Sequence, residues 1–212
     1  MFESINRRSV ILIVLFAIFV AGSAQLSAAP NEFIPSIGIS NQVGSNAEDW
    51  QMGYSFGLDA MLYECCAIQY GLRLGYQFAI PDAESMLAMD INDVQVERRE
   101  GLRSIIDFTI LGRYDAPCLE DAPIGMSLLG GLGLNFVETS AIRLKGFARN
   151  FDTAVNREIH REANSEIVPS ITVGVSFKIL DQVQPAFEYQ HIFTSDNSTG
   201  FFKVSLGLLA RR

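Results

Sequence analysis

From residue 33 onward, apolar residues alternate with small or polar ones at a period of two, in blocks separated by turn-like stretches. That period marks a strand with two unlike faces. The clearest block sets Ile171, Val173, Val175, Phe177 and Ile179 against Ser170, Thr172, Gly174, Ser176 and Lys178. Phe202, Val204, Leu206 and Leu208 alternate with Lys203, Ser205 and Gly207 in the same way, and Ile68 to Phe78 alternates around Gln69, Gly71, Arg73, Gly75 and Gln77. The pattern predicts eight strands, at about 33–41, 50–63, 67–79, 102–115, 123–137, 167–180, 183–194 and 200–210. Most exceed the ~5–6 residues of an ordinary sheet strand. They reach the roughly 9–11 residues of a tilted membrane strand.

The connections alternate in length. Those after strands one, three, five and seven span 42–49, 80–101, 138–166 and 195–199, whereas those after two, four and six span only 64–66, 116–122 and 181–182. Three short turns at one end and mostly longer loops at the other predict an up-and-down barrel of the outer-membrane kind, with both termini on the short-turn, periplasmic side.

Alternation does not say which face points outward, but volume does. The apolar face carries about 40 sizeable side chains, against on the order of 12 in the packed interior of an eight-stranded barrel. The apolar face is therefore predicted to meet lipid. The opposite face is rich in glycine (Gly53, Gly57, Gly71, Gly75, Gly125, Gly131, Gly133, Gly174 and Gly207), as a narrow lumen requires. It also carries Asp59, Arg73, Asp107, Arg113, Lys178, Glu188 and Lys203. Charges in so narrow a space are expected to pair or hold water. Eight strands leave an interior just filled by side chains, so a salt-bridged plug is expected over an ion path. Aromatic residues fall near strand ends, as interfacial girdles do. Phe33, Tyr70, Tyr114 and Phe177 mark the periplasmic rim; Trp50, Tyr54, Tyr76, Phe78, Phe136, Phe193 and Phe202 mark the outer one.

Composition narrows the picture further. The chain is 49% hydrophobic, yet no stretch after residue 24 is long and apolar enough for a membrane helix. Residues 1–24 read as a signal peptide, with Arg7 and Arg8 as the basic region, Val10 to Ala21 as the apolar core and Gly22-Ser23-Ala24 as the cleavage site. The barrel then occupies 25–212, and removing two Arg and one Glu takes the net charge from −8 to −9. An acidic chain with no basic run offers no footprint for nucleic acid.

The chain at this point resembles the small eight-stranded outer-membrane barrels of the OmpA and OmpX type. The resemblance covers 25–212 and rests on architecture, with no diagnostic motif. It implies insertion into outer-membrane lipid by the envelope's assembly machinery, in a Gram-negative cell. One departure is the end, Leu208-Leu209-Ala210-Arg211-Arg212, where such barrels usually finish on an aromatic residue. No periplasmic peptidoglycan-binding domain is expected after strand eight.

Candidate chemistry is sparse, and no cofactor or enzymatic activity is expected. His191 lies on the apolar face near the outer rim, followed by Ser195 and Asp196. Lipid A deacylases are similar in setting a His and a Ser at the membrane surface, two residues apart on one strand. Here the second position is Phe193, so the pattern fails. An interfacial histidine is expected instead. His160 sits in Arg157-Glu158-Ile159-His160-Arg161-Glu162, a solvated stretch suited to a short helix and without a second histidine for a metal. The 80–101 loop is acidic first (Asp82, Glu84, Asp90, Asp93) and then basic (Arg98, Arg99), without the Asp-x-Asp-x-Asp-Gly order of a calcium loop. Cys65 or Cys66 and Cys118 fall in short turns at the same end, which predicts a disulfide from Cys118 to one of the pair. The alternative is three small apolar residues near the interface. The functional expectation is a structural, envelope-integrity or surface-contact role, with any extracellular ligand met by loops 80–101 and 138–166. A narrow channel and a lipid-modifying enzyme using His191 are the alternatives.

Overall fold

The computed structural model describes residues 32–44, 47–65, 68–87, 93–116, 124–150, 153–179, 182–194 and 199–211. The predicted signal peptide lies outside them. So do Cys66, Cys118, Ser195 and Asp196, together with the side chain of Cys65; the expected disulfide therefore lies outside the described residues.

Eight strands appear where alternation predicts them: β1 (Glu32–Gly44), β2 (Gly53–Cys65), β3 (Ile68–Ala79), β5 (Arg103–Asp115), β6 (Ile124–Thr139), β9 (Asn164–Ile179), β10 (Val183–Ile192) and β11 (Thr199–Leu208). Each pairs antiparallel with the next, and β11 pairs back onto β1. The sheet therefore has no open edge, which lipid demands because it offers nothing to an unpaired backbone group.

The register fixes the shape. From Ile34 the pairings lead to Asp59, Arg73, Thr109, Gly133, Ser170, Ile192, Thr199 and back to β1 at Gly44, ten residues above the start. A ten-residue shear over eight strands, at ~3.3 Å rise and ~4.8 Å spacing, tilts the strands by about 40°. Twelve residues of such a strand climb roughly 30 Å, enough to cross the hydrocarbon.

The two faces are inverted relative to a water-soluble barrel. Outward lie Ile37, Ile39, Phe56, Leu58, Leu72, Ile110, Leu128, Leu132, Ile171, Val173, Phe187, Val204 and Leu206, all exposed. Inward and buried lie Ser40, Ser55, Asp59, Gln77, Asp107, Thr109, Asn135, Ser170, Thr172, Ser176, Glu188 and Gln190. Close approach explains one inward glycine well: a Cβ at Gly133 would stand 2.3 Å from Thr109 Oγ1 and 2.7 Å from the Phe108 carbonyl.

The long connections depart from expectation, because they are folded. Segment 80–101 contains a short helix α1 (Ala83–Leu87) and strand β4 (Asp93–Glu100); segment 138–166 contains β7 (Ile142–Asn150) and β8 (Thr153–Arg161). These strands form a separate antiparallel sheet in the order β4-β7-β8. The short helix expected around His160 is thus replaced by β8, whose backbone pairs with β7 from Ile142–Arg161 to Asn150–Thr153. From Arg157 to Arg161 the β7 partner lies 11–19 residues away, and this hairpin pairing outweighs local helix preference, which charge composition does not report. At the opposite end, a two-residue β12 (Ala210–Arg211) pairs with the start of β1. Both ends of the described chain therefore meet at the short-turn end. No helix among the described residues is long and apolar enough to cross a membrane.

Candidate functional site

Three layers fill the lumen, and a cap covers one end. The middle layer centres on Arg73, which β3 aims inward between β2 and β5. Its Nε and Nη2 donate to Asp59 Oδ1 and Oδ2 at 2.6 and 2.7 Å, a two-pronged pairing with the residue directly opposite. The same guanidinium reaches across the barrel to Glu188, with Nη2 donating to Oε1 at 2.8 Å and Nη1 donating to Oε2. One planar cation thus holds two carboxylates from strands that do not touch. Lys203, opposite Glu188, feels the charges of Asp107 and Glu188. It makes no direct ion pair among the described residues.

Near the short-turn end, Arg113 donates through Nη2 to Glu32 and to Gln69. Its Nε stands 3.3 Å from Asp115 Oδ1, which also accepts from Ser127 at 2.6 Å. Lys178 lies at the same end, opposite Gly125. Toward the other end the inward face turns apolar, and Ile105, Val137, Val168, Ile192 and Phe201 form one buried cluster.

Above that cluster sits Arg103. Its guanidinium lies 5.6 Å from the Trp50 ring and 5.8 Å from the Phe201 ring, while Nη1 donates to Gln42 at 2.9 Å. Trp50 belongs to the cap. It packs with Ala83, Met86, Leu87, Ile142 and Leu144 in a second hydrophobic cluster. The sequence reading that placed Trp50 in the lipid-facing girdle is therefore corrected: only 9% of it is exposed, and its backbone bridges Pro81 outside the barrel strands. Backbone bonds from Gln51 to Ile80 and from Asp82 to Asp49 tie the two loops, and Arg161 on β8 reaches Asp49 at 3.1 Å. The outer face of the cap sheet carries Arg98, Glu100, Arg143, Lys145, Glu158 and His160, all exposed. Two ion pairs lie there, Arg98–Glu100 at 2.7 Å and Lys145–Glu97 at 2.8 Å, and Glu97 holds the Lys145 ammonium above its ordinary pKa.

His191 faces outward near the cap end, its Nδ1 3.1 Å from the Tyr189 hydroxyl and its ring edge-on to Phe193 at 4.7 Å. Tyr189 in turn packs against Phe202 at 5.1 Å. Among the described residues no three His, Cys, Asp or Glu side chains gather as a metal site.

The seven inward charges named from sequence are thus distributed unequally. Asp59, Arg73 and Glu188 meet directly, Asp107 and Lys203 lie just beyond them, and Arg113 and Lys178 stand at the short-turn end. The partner of Arg113, Glu32, escaped the sequence reading because it precedes the first predicted strand by one residue. Arg103 lay at the start of a predicted strand, where parity is easily lost, and Gln42 fell in the first predicted connection.

Closed register and inverted faces define the class: an eight-stranded antiparallel transmembrane β-barrel. Solved structures of similar form include Neisserial surface protein A (11% identity, 85% of this chain and 96% of that one, TM-score 0.47). The Yersinia pestis outer membrane protein Ail in a phospholipid nanodisc gives 12%, 85%, 99% and 0.48, and a major outer membrane protein of Thermus thermophilus gives 11%, 85%, 99% and 0.48. No protein-family model and no curated protein matches the chain.

Proposed function

We propose that this chain is a non-catalytic, non-conducting barrel of the outer membrane, with both termini periplasmic, that holds a folded contact surface at the cell exterior and contributes to envelope integrity. The observation that carries the reading is the cap. Two long loops join into a three-stranded sheet over an apolar cluster, and Trp50 and Arg103 fasten it to the barrel mouth. A rigid scaffold presenting ordered loops is the usual setting for recognition. The narrow-channel reading would need a path past Arg73, Arg113 and the apolar cluster at Ile105 and Phe201, all of them buried or paired.

The test replaces 82–100 and 141–162 with short turns. The capless protein is expected to keep its heat-dependent gel mobility, while cells carrying it lose surface adhesion or resistance to detergent. Capless cells indistinguishable from wild type in both assays refute the reading. A lipid-modifying activity is the second reading, favoured by one feature: the imidazole of His191, oriented by Tyr189 at the lipid face. Mass spectra of lipid A from overexpressing cells, unchanged against His191→Ala cells, would remove it.

A further inference from the structure

Glu138 departs from the rule that the barrel's charges face inward. It stands at an outward position of β6, in step with Leu132, Leu134 and Phe136. By the parity of the register, every other charged position on the eight barrel strands, among the described residues, points inward. The pairings set Glu138 in a polar row, with Ser104 of β5 opposite it on one side and Ser165 of β9 on the other. Ser104 and Glu138 are half-buried, and Ser165 is exposed. The row crosses three strands, about 10 Å. It lies at the cap-end rim, just below the backbone bond from Ser140 to Leu102.

An aromatic patch adjoins this row. Phe78, opposite Ser104 on the β3 side, packs with Tyr54 at 5.6 Å, Tyr76 at 6.0 Å and Phe56 at 6.4 Å. Tyr54, Phe56 and Tyr76 are exposed. The Tyr76 hydroxyl bonds to Ser104 and lies within the field of Glu138, so patch and row make one surface.

A carboxylate on the lipid face is tolerated near the interface, and its neighbours decide what it attracts. A phosphate or sulfate is repelled by Glu138 and meets no outward Lys or Arg among the described residues. A primary ammonium is served by every group present. The carboxylate supplies the counter-charge, the serine oxygens accept N–H bonds, and the ring faces attract a cation. A quaternary ammonium has no N–H to give those oxygens.

We propose that Glu138, Ser104 and Ser165, flanked by the Tyr54–Phe56–Tyr76–Phe78 patch, bind the primary ammonium of a lipid headgroup in the leaflet on the cap side. The acyl chains of that lipid run down the wall along Leu134, Phe136 and Ile167. One sector of the barrel thereby selects the lipid that touches it.

Native mass spectrometry of the barrel refolded in detergent tests this. The probes are phosphatidylethanolamine, its singly and doubly methylated forms, phosphatidylcholine and phosphatidylglycerol. Retention is expected to be highest for phosphatidylethanolamine and to fall with each added methyl group. Glu138→Gln should lower phosphatidylethanolamine retention about fivefold, the upper end for a partly exposed ion pair, and should keep the heat-dependent gel shift. Glu97→Gln makes the same charge change on the cap and should leave retention unchanged. Equal retention across the methylation series in the wild-type protein overturns the proposal, and that comparison needs no variant to fold. So does an equal loss in Glu97→Gln, which would reduce the effect to net charge. Retention of phosphatidylglycerol that requires calcium and vanishes with EDTA would make Glu138 a metal-bridging carboxylate, and would overturn it too.

Discussion

Removing the Arg73 guanidinium should be the most damaging single change in the lumen. Arg73→Met deletes four hydrogen bonds and leaves two carboxylates facing each other without a cation. The side chains of Asp59 and Glu188 are 11% and 3% exposed, so little solvent replaces what is lost. Breaking one buried pair by removing a partner costs about 3–5 kcal/mol. The two pairs here share one cation, so a total of about 4 kcal/mol is expected rather than twice that. The compensated variant Asp59→Leu/Arg73→Met/Glu188→Met removes the charges together and should recover to within roughly 1–2 kcal/mol of wild type. Urea titrations in detergent micelles, read by the folded and unfolded gel bands, supply both values. An Arg73→Met loss below about 1 kcal/mol, or a triple variant no better than the single, would refute a plug held by charge pairing.

Other consequences follow from the faces and the cap. Arg103→Ala frees Trp50, the only tryptophan in the chain, so its emission should shift red and trypsin should cut sooner within the cap; the boil-dependent mobility of the barrel should not change. Leu132→Arg, at an outward position 66% exposed, should cost about 2–4 kcal/mol in a bilayer if that position meets the membrane midplane; a neutral effect would mean that the outward face is wrong. Gly133→Val should abolish the heat-shifted band, because the added atoms collide with Thr109 and the Phe108 carbonyl, whereas Gly130→Ala, with nothing within 4 Å of its Cβ, should stay within about 0.5 kcal/mol. Lys145 should titrate above its usual range by NMR and return to it in Glu97→Gln. Its raised folded value means that the pair's small stabilisation is present at neutral pH and fades as pH rises through that value; this exposed pair should barely move overall stability.

Much of the barrel was legible because the membrane imposes a strict code. Strand β9 shows why: every outward position from Ile167 to Ile179 is apolar or proline, and every inward one from Val168 to Lys178 except Val168 is small or charged. A single register satisfies both faces, so parity alone names the inward charges. The cap was not legible. Val94 and Val96 on β4, and Leu144 and Ile159 on β7 and β8, are too few and too widely spaced to announce strands. Leu144 and Ile159 pack with Trp50, Met86 and Leu87, which lie more than 50 residues earlier in the chain. Trp50 was misplaced for the same reason: an aromatic residue beside a predicted strand reads as girdle until the partner loop is known. The pairing of inward charges was equally hidden. Parity places Arg73 and Glu188 in the lumen, but only the shear of ten brings two residues 115 positions apart to one level.

On the proposed non-conducting reading the closure of the lumen is redundant, and this bears on how a conducting variant should be sought. Arg73 with its two acids, the apolar cluster at Phe201, and Arg113 with Glu32 each block the path at a different height. They depend on different forces. The two charged layers weaken when a partner is neutralised, whereas the apolar layer responds only to loss of volume. Neutralising Arg73 or Glu188 should therefore leave planar-bilayer traces flat, since two barriers remain. Only a variant that opens all levels, such as Arg73→Ser with Phe201→Ala and Arg113→Ser, should admit ions. Conductance from wild type, or from Glu188→Gln alone, would mean that the upper and lower layers move aside, and the barrel would then have to be read as a gated pore.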